Sequence, residues 1–177
     1  MENKILAILL DSGDTLVDEG TEVKDETGVV LQAELIPGAA EMVRALKARG
    51  YRLGLVADGP AGTFYNILGH SYQLLSLFDA LAISELVGFE KPHPAMFTTA
   101  LGQLGLHEAQ YRQVLMVGNN LARDIKGANA LGLISVWLDW APRRAKIPAD
   151  SSEQPRYTIR SPLELIDLIP SIERSLS

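Results

Sequence analysis

Residues able to act on a ligand fall at four points of this chain, each just after an apolar run or in a loop between two of them. They are Asp11-Ser12-Gly13-Asp14-Thr15, Ala57-Asp58-Gly59, Lys91-Pro92, and Gly118-Asn119-Asn120 with Asp124. In an open α/β sheet, ligands bind outside the carboxyl ends of the strands, so polar groups placed there converge on one crevice. The chemistry open to that crevice is that of carboxylates, one lysine and backbone amides. The chain has no cysteine, so any metal held there is held by oxygen. Taken singly, an Asp after a strand is ordinarily a turn or cap residue and a lysine in a loop is ordinarily solvated. The ordered set carries the weight.

The elements that must position these groups alternate along the chain. Ile5 to Leu10 is a continuous aliphatic run without polar alternation, the pattern of a strand buried on both faces of a parallel sheet. Residues 16–36 are acidic and mixed, which predicts a short hairpin or flap. Pro37-Gly38 opens a helix over 38–49, with Ala39, Met42, Val43 and Leu46 at helical spacing and Gly50 after its end. Further strands are predicted at 51–57, 80–84, 114–117 and 133–138, and helices at 62–75, 94–104 and 121–131. Residues 141–156 are rich in Pro, Ser and charge and read as a loop or mobile excursion. Tyr157 to Ile159 and Pro162 to Ile169 predict a last strand and a closing helix. The alternation predicts an α/β fold, a three-layer doubly wound (Rossmann-like) parallel sheet forming a single domain over 1–177.

Composition narrows the function classes. The 177 residues suit one buried core, and 47% hydrophobic with 21% charged residues is ordinary for a globular protein. A net charge of -6, from 22 acidic and 16 basic residues, gives no footprint for a nucleic-acid partner. The six-residue run before Asp11 is too short for a signal core or a membrane span, so a cytoplasmic protein with no membrane partner is expected.

The four motifs, in this order, resemble those of the haloacid dehalogenase (HAD) superfamily of phosphatases, phosphotransferases and dehalogenases. That family carries Asp-x-Asp-x-Thr after the first strand, a Ser or Thr after the second, a Lys-Pro loop, and Gly-Asp-(x)4-Asp. The resemblance runs over roughly residues 4–170. It implies a HAD-like fold with Asp11 as a nucleophile forming an aspartyl phosphate and Thr15 bracing the loop. It also implies that Lys91 and a Mg2+ cofactor neutralise the phosphoryl oxygens. The implied metal set is Asp11, the Gly13 carbonyl, Asn119 and Asp124. The implied phosphate site is Ala57, Asp58, Gly59 and Lys91.

Three positions depart from the family pattern. Gly13 stands where the family has the Asp that protonates the leaving group and then activates water, a role worth about 10²–10⁴-fold. Asp14, one residue on, is a candidate substitute. Ala57 lacks the phosphate-binding hydroxyl, and Asn119 keeps an oxygen ligand but removes a charge. The stretch between Thr15 and Pro37 has no room for a helical cap domain, so the site resembles the capless subgroup. Such a site admits a large substrate or borrows cover from a second copy in a homo-oligomer. One expectation is a Mg2+-dependent phosphatase or phosphotransferase with Asp11 as nucleophile, restricted to good leaving groups. Its partner would be a phosphorylated small molecule or phosphoprotein. The other is a catalytically impaired member that binds a phosphorylated ligand or a protein. Dehalogenation is a third, weaker reading, because the absent cap speaks against it. His93, Trp137 and Trp140 are read as loop and packing residues.

Overall fold

The protein was studied as a computed structural model, which describes residues 4–176. Six strands form one sheet in the order β5-β4-β1-β6-β7-β8, every neighbouring pair parallel. They are β1 (Ala7–Leu10), β4 (Leu53–Ala57), β5 (Ala80–Ile83), β6 (Val114–Gly118), β7 (Ile134–Leu138) and β8 (Tyr157–Ile159). The remaining strands, β2 (Val17–Lys24) and β3 (Val30–Leu35), pair antiparallel as a separate hairpin. Helices α1 (Ala39–Ala48), α2 (Ala61–Phe64), α3 (Ser84–Val87), α4 (Pro94–Gln103), α5 (Lys126–Ala130) and α6 (Glu164–Ser175) fill the connections. Two of them are lengthened by wider helical turns, α2 onward through Tyr65–Ser71 and α5 backward through Leu121–Ile125. Among the described residues no helix is long and apolar enough to cross a membrane.

The aliphatic strands bury both faces because alternate side chains point to opposite layers. Ile8 and Leu10 join Leu53, Leu55, Val117 and Val136 against α1 and α6, through Met42, Val43, Leu46, Leu165 and Ile169. Ala7 and Leu9 face the other way, with Val56 and Met116, onto Met96, Phe97, Ala100 and Leu101 of α4. This is the three-layer α/β arrangement expected, with only the β2–β3 hairpin standing between Thr15 and Pro37.

The closing helix runs further than its apolar spacing suggests, six residues past Ile169 and through Pro170. Proline lacks the N–H that would bond the carbonyl four residues back. That carbonyl, of Ile166, instead accepts from Arg49 Nη1 at 3.3 Å, and buried Ile172 keeps the helix on the core. A helix boundary drawn at the proline is therefore corrected to Ser175.

Candidate active site

The ends of β1, β4 and β6 meet at a cavity of about 350 Å³, lined by Asp11, Gly13, Glu19, Asp58, Lys91, Asn119, Asp124 and Arg144 among others. Asp11 follows β1 directly, and its backbone N–H donates to Val117 O at 3.0 Å, tying the loop to β6. The Ser12 carbonyl accepts the N–H groups of Thr15, Leu16 and Val17, which folds Asp11 to Thr15 into a tight turn.

Lys91, in the loop between α3 and α4, reaches back under the strand ends. Its Nζ donates to Asp11 Oδ1 at 2.6 Å and to Val56 O at 2.8 Å, and lies 2.8 Å from Asp124 Oδ1. Burial opposes the ammonium charge, but Asp11, Asp124 and Asp58 outweigh it and hold the lysine above its ordinary range. Asp124 is raised above the ordinary carboxylate value, chiefly by burial and then by the charge of Asp11, while Lys91 pulls it down. Its Oδ1 is ion-paired with Lys91. Its Oδ2 accepts from Asn120 N at 3.0 Å.

Asn119 closes the other side. Its Nδ2 donates to Asp11 Oδ2 at 2.8 Å, Gly13 O at 2.6 Å and Thr15 Oγ1 at 3.1 Å. Trp137 Nε1 holds the Asn119 backbone by donating to its carbonyl at 3.0 Å, so this tryptophan braces the site from behind. Thr15 Oγ1 donates to Asp11 Oδ2 at 3.0 Å. Asp11 Oδ2 and Gly13 O thus converge, with Thr15 Oγ1, on one amide nitrogen, while Asn119 Oδ1 is buried without a partner among the described residues. A half-turn of the carboxamide exchanges its two ends and completes a cluster of three oxygens. Among the described residues no group of three or more His, Cys, Asp or Glu is placed to hold a metal. A carboxylate, a carbonyl and an amide oxygen nevertheless fit Mg2+, which takes few carboxylates and keeps several waters.

The residues after β4 are largely spoken for. Ala57 lies in the core with no polar side-chain atom to offer. Asp58 Oδ1 accepts from Lys91 N at 3.0 Å and its Oδ2 from Arg123 Nη1 at 3.1 Å, so this carboxylate organises the Lys91 loop. Gly59 N donates to Ser84 Oγ at 2.8 Å. His93 caps α4 through Nδ1 and stacks on Phe89, a structural use.

Asp14 turns away from the cavity. It is fully buried at a left-handed φ of 53°, with Oδ1 on Arg143 Nη1 at 2.5 Å and Oδ2 on Arg144 Nε at 2.9 Å. Two guanidiniums and the Glu19 N–H, 3.2 Å from Oδ1, take three of its roughly four acceptor sites, the use of an anchor. The 141–156 segment contains a single 3-10 turn, Ser151–Glu153, and these arginines pin its first part to the Asp14 turn and the hairpin. Arg143 also meets Asp18 at 2.8 Å, and Arg144 meets Glu19. Glu19 and Arg144, both on the cavity wall, escape motif reading. Burial pushes the Glu19 carboxyl above its ordinary value, Arg144 pulls it back, and Asp14, Asp11 and Glu22 push it up again.

Comparison with known proteins bears on this geometry. The model of the haloacid dehalogenase-like hydrolases matches residues 2–132. A glyceraldehyde 3-phosphate phosphatase of Pyrococcus furiosus is 32% identical over 140 residues, covering 78% of this chain and 55% of that protein. The crystal structure of a HAD phosphatase from Thermococcus onnurineus is 28% identical with a TM-score of 0.63, over 77% of this chain and 59% of that one. A dehalogenase crystal structure, 16% identical with a TM-score of 0.76, covers 95% of this chain and 98% of its own, a likeness of fold. The chain spans about half the length of the curated relatives it matches. With the family model running over most of its length, this chain belongs to the haloacid dehalogenase-like hydrolases.

Proposed function

We propose that this protein is a phosphatase or phosphotransferase acting through an aspartyl phosphate on Asp11. The observation that carries the reading is the Lys91 ammonium, buried 2.6 Å from Asp11 Oδ1 at the end of β1. A carboxylate is a weak nucleophile toward an anionic phosphate, and a preorganised cation beside it removes the repulsion where charge gathers. Thr15 keeps the carboxylate from rotating, and Asp58 holds the Lys91 backbone. Arg144 and Arg123 add positive charge at the cavity wall.

Asp11, the Gly13 carbonyl and Asn119 would hold a Mg2+, with Asp124 and Lys91 behind them. When bound, the ion would supply Lewis-acid neutralisation of phosphoryl oxygens. The cavity suits a small phosphorylated molecule, in keeping with the relatives named for glyceraldehyde 3-phosphate. The Asp11 to Thr15 loop offers no acid of its own at Gly13, so by itself it handles activated phosphates, whose leaving groups need no proton.

A second reading, a binding protein for a phosphorylated ligand, is favoured by Asn119 Nδ2, which closes the gap between Asp11 and Gly13 with a hydrogen-bond donor. One experiment separates the two. With Mg2+ present, the natural protein is expected to hydrolyse aryl and acyl phosphates, and Asp11→Asn to lose about 10³-fold or more of that turnover. Silence of the folded natural protein on both, with retained binding of inorganic phosphate, decides for the binding protein.

A further inference from the structure

The hairpin carries an acid to Gly13, a position of the loop that has none. A Cβ built on Gly13 would meet Glu19 Oε1 at 2.0 Å, its Cδ at 2.8 Å and its Cγ at 3.0 Å. The Glu19 carboxylate therefore occupies the space in which a side chain at position 13 would start. Gly13 does not have a positive φ, so its backbone makes no demand for glycine. What glycine provides here is room. Glu19 is held in that room from two sides: Arg144 Nη2 engages Oε2, and the Glu19 N–H donates to Asp14 Oδ1 at 3.2 Å. Asp14 in turn holds Arg144 Nε at 2.9 Å, which leaves Oε1 as the oxygen turned toward Gly13. Asp11, Gly13, Glu19 and Arg144 share the same cavity wall.

Building on the phosphatase reading above, we propose that Glu19 is the acid–base residue of this site, reaching from β2 into the place vacated at Gly13. In the first step the bond from Asp11 Oδ1 to phosphorus forms and the ester P–O bond breaks. The departing oxygen takes the Glu19 proton and leaves as an alcohol. In the second step a water oxygen bonds phosphorus and the Asp11 acyl phosphate bond breaks. The water proton passes to Glu19, so the protonated carboxyl is restored and no other reactant is consumed. A loop that alone suits only activated phosphates is thereby extended to alkyl monoesters, by the 10²–10⁴-fold or so that a positioned acid supplies. Asp14, spent on two arginines and facing away, cannot do this.

The test is a series of phosphate monoesters running from nitrophenyl to simple alkyl esters, with the natural protein, Asp11→Asn, Glu19→Gln, Glu19→Ala and the exchange Gly13→Asp/Glu19→Ala. Glu19→Gln is expected to lose about 100-fold or more in kcat on alkyl esters and less than about 10-fold on nitrophenyl esters, steepening the leaving-group dependence. The exchange variant returns a carboxylate from the loop side, and at least about 10-fold recovery of alkyl turnover over Glu19→Ala is expected. An equal loss across the series, or no loss, with Asp11→Asn still silent, overturns the role of Glu19 and leaves the nucleophile standing. Failure of the exchange to recover alkyl turnover also counts against it. Nitrophenyl turnover that survives Asp11→Asn, or a folded natural protein inert on the whole series, overturns the phosphatase reading and Glu19 with it.

Discussion

Lys91 and Arg144 both present cations to the same cavity, and they are held there differently. The Lys91 side chain is 2% exposed, beneath strand ends that the parallel sheet holds in register. Arg144 is 27% exposed, on a loop fastened to the Asp14 turn and the hairpin by side-chain ion pairs. The floor of the site is thus built by backbone ladders and core packing, and its cover by ion pairs between segments far apart in sequence. A floor of this kind resists reorganisation, whereas a cover of this kind gives in steps as its pairs are removed.

The sharpest way to break that comparison is to remove the floor cation. Lys91→Met would leave Asp11 and Asp124 side by side with their shared partner gone, a loss that for buried pairs costs about 3–5 kcal/mol. Denaturant unfolding is expected to show a drop of that size together with loss of turnover. A variant of unchanged stability would mean that water already reaches these carboxylates. The cover should give less. Arg143→Ala/Arg144→Ala strips both cations from fully buried Asp14 but leaves it the Glu19 N–H, so a cost of about 1–3 kcal/mol is expected. Arg143→Ala alone removes a partner 37% exposed, and a cost under about 1 kcal/mol, diminished by salt, should follow. Equal costs for the two would show that Arg144 contributes nothing to holding Asp14.

The same division separates what could be read from the sequence from what could not. Uninterrupted aliphatic runs such as Ile5 to Leu10 fit a strand buried on two faces, and a parallel sheet then places whatever follows each strand at one edge. Asp11 and Asn119 directly follow β1 and β6, so that logic reaches them, whereas Lys91 lies in a loop beyond α3 and Asp124 on a helical turn, and these two are legible only through the motif order of the resemblance. Glu19 and Arg144 stand 125 positions apart, and their meeting depends on how a hairpin folds back and where a loop crosses it. The signal available was a complementarity of charge, Asp18-Glu19 in the flap against Arg143-Arg144 in the loop. Asp14 was legible as an acid near the nucleophile but not as an anchor, since its direction follows from the left-handed turn. The apolar spacing ends the closing helix before Pro170 because the donor that replaces the missing N–H, Arg49, stands at the end of α1, far away in sequence.

An ion pair at the other end of the strands, where β4 and β5 begin, tests whether distance or burial sets these costs. Lys47 Nζ lies 2.6 Å from Asp79 Oδ1, the separation of Lys91 from Asp11, but the side chains are 34% and 36% exposed. Burial tends to raise the Asp79 carboxyl. Hydrogen bonds from Lys47 and the Leu53 N–H, with the charges of Lys47 and Arg52, outweigh it and leave the carboxyl below its ordinary value. A carboxylate lowered on folding adds stability above its unfolded pKa, and that stability is lost as pH falls through the folded value. Solvent screening keeps the amount small, so Asp79→Asn is expected to cost no more than about 1 kcal/mol near neutral pH. The melting temperatures of variant and natural protein should converge as the solution is acidified below the ordinary carboxylate range. If Asp79→Asn costs as much as Lys91→Met, the short distance is what matters and the contrast between floor and cover fails. If it costs a fraction of that, the stability of this site resides in the burial of Lys91 beneath the strand ends.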